Sequence, residues 1–140
     1  MKMKVKEPKF KYKQVMLLDD NELDNFINKK MIEASYFSKN TYVNTNGKSA
    51  LEFLNNLGAS GIECPEIYPQ VIFVDLNMPM MDGFQFIEHF KSNLEKHIPR
   101  PKLVILTSSV YDEDRQKSSA LSEDIIFLNK PLTSDMLINI

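Results

Sequence analysis

Four short runs, residues 14–18, 71–74, 103–106 and 125–128, are rich in Val, Ile, Leu and Phe and show no polar alternation. A strand with one face in water alternates apolar and polar residues, whereas a strand covered on both faces has no reason to. That feature constrains the fold most, because each run then needs cover above and below. A weaker β-type stretch, Thr41 to Thr45, adds a fifth strand. Helical patterns lie between the runs. Leu23, Phe26, Ile27, Met31 and Ala34 recur at helical spacing, as do Ala50, Leu51, Leu54 and Leu57, and then Phe84, Ile87, Phe90 and Leu94. A fourth helix near 112–121 is polar and weakly patterned, and a fifth, Ser134 to Ile140, is short. Such alternation builds a doubly wound α/β domain with right-handed crossovers.

At 140 residues the chain is the size of one domain and can close a single core. Its net charge of -2 conceals an asymmetry. Lys2, Lys4, Lys6, Lys9, Lys11 and Lys13 face one acid, Glu7, which leaves residues 14–140 with 11 basic and 18 acidic groups, a net -7. An acidic body argues against nucleic acid as a direct partner. Residues 1–13 read as a lysine-rich, solvated extension and residues 14–140 as the domain. Cys64 stands alone, which excludes an internal disulfide and a cysteine-rich metal site. The apolar runs are too short to span a bilayer, and no signal-peptide core follows the lysines. A cytoplasmic protein without membrane insertion is expected.

Ligands of open α/β sheets bind beyond the carboxyl ends of the strands. There the chain places Asp19-Asp20 after the first run, Asp75 after the third, Thr107-Ser108 after the fourth and Asn129-Lys130-Pro131 after the fifth. Each has an ordinary explanation alone: a helix cap, a turn opener, a solvated loop lysine. Together they bring three carboxylates, a hydroxyl and an ammonium to one edge. Three adjacent carboxylates repel unless a cation intervenes. Oxygen-only ligands, without His or Cys, suit a hard ion, Mg²⁺ before Mn²⁺ or Ca²⁺. An Asp beside such an ion, a lysine and a hydroxyl is equipped as a nucleophile toward phosphorus.

The segments "VMLLDDNE", "VIFVDLNMPMMDGFQFI", "VILTSS" and "IIFLNKPL", in this order from about residue 14 to the end, resemble the receiver domains of two-component response regulators. The resemblance implies the flavodoxin-like sheet of the chemotaxis response regulator, with strand order 2-1-3-4-5. It implies Asp75 as phospho-acceptor, Asp20 and Asp75 as direct Mg²⁺ ligands, Asn77 as a ligand through its backbone carbonyl, and Asp19 as one through water. Thr107 would hydrogen-bond the phosphoryl group, Lys130 would pair with it, and Phe127 would be the aromatic switch. Asn77 and Ser109 would flank the water that ends the signal, and the bond before Pro131 would be cis. The implied partners are a sensor histidine kinase or a histidine phosphotransfer protein, plus an unnamed downstream protein. A stand-alone signalling domain, not an enzyme, is expected. Two features depart from the family: a long connection from Gly58 to Gln70, and a final helix that stops at Ile140.

A haloacid-dehalogenase-like phosphatase also forms an aspartyl phosphate at a strand end. Those enzymes carry an acid two residues after the nucleophile, where this chain has Asn77. A flavin or nucleotide site needs a Gly- or Ser/Thr-rich loop after the first strand, where this chain has Asp19-Asp20-Asn21-Glu22. Met78, Met80 and Met81 read as adaptable packing, Asp82 as the cap of the third helix, and His89 and His97 carry no assigned role.

Overall fold

The computed structural model describes residues 8–60, 65–93 and 100–140. Lys2, Lys4, Lys6, Glu7, Cys64, Leu94 and His97, singled out above, lie outside the described residues, as do residues 61–64 of the long connection. In chain order the elements are β1 (Tyr12–Leu18), α1 (Glu22–Ala34), β2 (Ser38–Asn44), α2 (Gly47–Ser60), β3 (Val71–Val74), α3 (Gly83–Asn93), β4 (Lys102–Thr107), α4 (Asp112–Leu121), β5 (Ile126–Asn129) and α5 (Ser134–Ile138). A 3₁₀ turn, Pro65–Ile67, precedes β3. All five strands are parallel, in the order β2-β1-β3-β4-β5.

The missing alternation has its cause in two cores. On one face Met16, Leu18, Ile72, Val74, Leu103 and Ile105 meet Ala50 and Leu54 of α2 and Phe84, Ile87 and Phe90 of α3. On the other, Val15, Leu17, Val71, Phe73, Val104 and Leu106 meet Ile32 of α1 and Leu137 of α5. Successive strand residues point to opposite faces and both faces are dry, so every position is apolar. Each large side chain so buried contributes about 1.5–3 kcal/mol before chain entropy is set against it.

Register then sets the site. Leu18 pairs with Val74, so Asp19 and Asp75 step off the sheet side by side. Val74 pairs with Ile105, and Thr107 pairs with Asn129, which brings the end of β4 and Lys130 to the same edge. The Asp75 N–H donates to the Leu18 carbonyl at 2.9 Å, and the Lys130 N–H to the Thr107 carbonyl at 2.8 Å.

Four expectations need correction. The α1 helix forms, but its apolar stripe is not its buried face. Leu23, Phe26 and Ile27 are 66%, 59% and 45% exposed, and Ala34 is exposed too, whereas Asn25, Asn28 and Ile32 are buried. The helix is turned by its polar anchor, since the Asn25 side-chain amide donates to the Asp19 carbonyl at 2.8 Å. Second, β5 is half-buried along its length. It lies at the sheet edge, and α4 beside it buries only Ser118. Third, β1 opens at Tyr12, inside the expected extension, and β2 opens at Ser38 rather than Thr41, because Tyr12 pairs with Ser38. Fourth, Met80 is not packed among the described residues: it is fully exposed at φ 70°. The Met81 N–H bonds back to the Pro79 carbonyl at 2.8 Å, and this tight turn points Met80 outward. Met78 is buried as expected.

Candidate phospho-acceptor site

The first turn of α1 is organised around Asp19. Asn21 caps the helix, its Oδ1 accepting from the Asp24 N–H at 3.0 Å, and the Asn21 N–H donates to Asp19 Oδ1 at 2.9 Å. Asp19 Oδ2 accepts from Lys130 Nζ at 2.6 Å. Both Asp19 oxygens are therefore engaged, and its side chain is buried. Asp20, next along, is exposed. Asp75 is buried, and its carboxylate accepts from the Asn77 N–H. On the far side, Asp82 and Gln85 cap α3 reciprocally at 3.0 and 2.8 Å, which fixes the turn that follows Asp75.

One oxygen each of Asp19, Asp20 and Asp75 come within 4.8 Å of one another. Asp75 Oδ1 is buried and lacks a hydrogen-bond partner among the described residues; Lys130 Nζ stands 3.6 Å away. An orphaned carboxylate oxygen beside two more carboxylates, with no nitrogen or sulfur donor in the cluster, fits a small hard cation such as Mg²⁺. Burial, and then the charges of Asp19 and Asp20, push the Asp75 carboxyl up from 3.8 to about 6, against the opposing pull of Lys130 and the Asn77 N–H. Burial alone would lower the Lys130 ammonium, but the hydrogen bonds to Asp19 and Asp24 and the charge of Asp75 hold it above its ordinary value.

The raised Asp75 carboxyl has a consequence for stability. Between pH 3.8 and about 6 the folded protein keeps a proton there that the unfolded chain has lost. The stabilisation from that proton is complete below 3.8 and is gone once pH has risen through 6. Without metal, Asp75→Asn should therefore gain on wild type by about 2 kcal/mol from pH 4 to pH 7. Urea melts of both proteins in chelator at the two pH values measure this, and a pH-independent difference would contradict it.

The remaining residues divide into those at the cluster and those held back from it. The Thr107 hydroxyl is fully buried and accepts from the Ser109 N–H at 3.2 Å. Ser109 is buried, its hydroxyl donated to Asp114 at the start of α4. Phe127 is half-buried with the Arg115 guanidinium 4.7 Å above its ring. Asn77 is exposed, and the Lys130–Pro131 bond is cis. Asp24, Asp114 and Arg115 were not singled out from sequence, and Gly83 was read there only as part of the Asp82-Gly83 start of the third helix, where the structure has it. Of the first three, only Asp24 left a trace in the sequence, an acid four residues beyond Asp20 in a first helical turn.

Residues 15–140 match the family model described as the response regulator receiver domain. The chain is 28% identical over 120 residues, 85% of its length, to Hybrid signal transduction histidine kinase L of Dictyostelium discoideum, and spans 6% of that protein. It is 28% identical over 103 residues to Response regulator Rcp1 of Synechocystis, covering 73% of this chain and 66% of that one. A two component response regulator from Cytophaga hutchinsonii, known as a crystal structure, has a TM-score of 0.81 at 30% identity, covering 91% of this chain and 92% of its own.

Proposed function

Since the chain belongs to the response regulator receiver domain family, serving two-component signalling, we propose that Asp75 accepts a phosphoryl group from a phosphohistidine. The donor is a sensor histidine kinase or a histidine phosphotransfer protein in the cytoplasm. The observation that carries this reading is Asp75 itself: a buried carboxylate with an unpartnered oxygen, facing two further carboxylates and an ammonium.

Mg²⁺ would be held by Asp20, Asp75 and the Asn77 backbone carbonyl, with Asp19 acting through water, since both Asp19 oxygens already have partners. Bound there, it supplies positive charge to the carboxylates and to the equatorial oxygens of the transferred group. The chain's own residues do the rest. An Asp75 oxygen attacks phosphorus, the P–N bond to histidine breaks, and an acyl phosphate forms. Lys130 draws in the new charge. Thr107, whose oxygen accepts from the Ser109 N–H, donates its hydroxyl proton to the phosphoryl group, and Phe127 moves with it. Asn77 and Ser109 flank the hydrolytic water. With its hydroxyl committed to Asp114, Ser109 acts by bulk and not as a base. The output is a changed surface for a downstream protein.

Asp20→Asn tests the metal reading. Because Asp20 is exposed, the fold should survive, and Mg²⁺ affinity should fall by about tenfold or more. In chelator the variant should be at least as stable as wild type, because one repelling carboxylate is gone. Unchanged Mg²⁺ affinity in a folded variant would place the ion elsewhere.

A further inference from the structure

The position of Lys130 is at odds with its expected task. An ammonium has three protons to donate. Lys130 gives one to Asp19 at 2.6 Å and another to Asp24 at 2.8 Å, while Asp75 at 3.6 Å lies beyond hydrogen-bond reach. The lysine side chain is only 13% exposed, so little water replaces those contacts. Asp75 Oδ1, meanwhile, stays buried and without a hydrogen-bond partner among the described residues. An ammonium that could relieve the orphan is held on the other side.

The two holders differ. Asp19 is buried and tied to the Asn21 N–H. Asp24 sits in the first turn of α1 with a side chain 34% exposed, so water can solvate it once the lysine leaves. Its backbone is fixed by the Asn21 cap, which aims the carboxylate at Lys130. Resting on the reading of Asp75 as acceptor, we propose that Asp24 is a positioning residue that latches the Lys130 ammonium away from Asp75 in the unphosphorylated protein. The phosphoryl group, with nearly two negative charges, must outcompete that carboxylate to recruit the lysine. Asp24 thereby sets the threshold of the switch. A ligand shifts such an equilibrium only by its differential affinity for the two states, so weakening the resting state alone tightens phosphoryl binding.

Beryllofluoride, a phosphoryl mimic, provides the probe, titrated calorimetrically at saturating Mg²⁺ into wild type, Asp24→Asn and Asp24→Glu. Asp24→Asn keeps the shape and removes the charge; it should bind about two- to fivefold tighter, as expected for loss of a partly exposed ion pair. Asp24→Glu should return toward wild type. The Lys130 ammonium resonance of the unliganded protein should also move in Asp24→Asn, a change that a merely structural role for Asp24 would not produce. Equal or weaker binding by folded Asp24→Asn overturns the latch, as does an Asp24→Glu variant that behaves like Asp24→Asn. If wild type itself binds no beryllofluoride, the failure lies with Asp75 as acceptor, and the latch falls with it.

Discussion

Asp75→Asn should take up no phosphoryl group from acetyl phosphate and Mg²⁺, because an amide nitrogen in place of the carboxylate oxygen cannot form the acyl phosphate. The expected loss is complete. The substitution is close to isosteric, and the amide removes a buried charge whose proton affinity the fold already raises. The variant should therefore remain folded, so its inactivity reports on chemistry alone. Phosphorylation is read by intact-protein mass spectrometry after a fixed incubation. Ser108 and Ser109 lie on the loop after β4 and carry hydroxyls that can also accept phosphate. Acid-stable label on either serine in the variant would contradict the assignment.

The second large effect belongs to a residue with no chemistry. Gly83 opens α3, and its N–H donates to the Leu76 carbonyl at 3.0 Å. A Cβ there would lie 2.4 Å from the Asp75 carbonyl oxygen and 2.9 Å from the Leu76 Cα. Both are backbone atoms that cannot swing aside, so α3 must retreat or the acceptor's own peptide must move. Gly83→Ala should cost about 3 kcal/mol or more, the upper end of overpacking effects, and should weaken beryllofluoride binding in whatever fraction folds. Gly47→Ala is the matched control. Its Cβ meets the Met81 sulfur at 2.6 Å, the flexible end of a side chain that can turn away. Urea melts of the two variants should differ clearly, and a Gly83→Ala protein within 1 kcal/mol of wild type would show that the helix–turn contact has slack.

What could be read from sequence follows from what each signal measures. Runs of apolar residues report burial on both faces, and the central strands obey: β3 is buried throughout and β4 from Leu103 on. Because the sheet is parallel and the strands end together, the residues after each run were bound to converge. Asp19, Asp75, Thr107 and Lys130 were legible for that reason. Helical periodicity reports burial only when the helix packs on apolar neighbours. At the top of α1 the neighbour is the site itself, so Asn25 and Asn28 turn inward and Leu23, Phe26 and Ile27 outward. Strand β5 carries the same apolar signature as β4, yet its cover depends on α4, whose polar sequence supplies little. Long-range side-chain choices were not legible. Whether Lys130 reaches Asp24 or Asp75, or Ser109 reaches Asp114, is decided by differences of about 1 Å that no spacing rule encodes.

The most direct test of Asp75 as acceptor locates the phosphoryl group chemically. Borohydride reduces an acyl phosphate to an alcohol, so an aspartyl phosphate is converted to homoserine while free carboxylates survive. Wild-type protein is incubated with acetyl phosphate and Mg²⁺, trapped with borohydride, digested and sequenced by mass spectrometry. Homoserine is expected at position 75 and intact aspartate at positions 19, 20 and 24, with no conversion when Mg²⁺ is chelated. Homoserine at any of those other positions, or an unreduced Asp75 in protein that carries phosphate, would contradict Asp75 as acceptor.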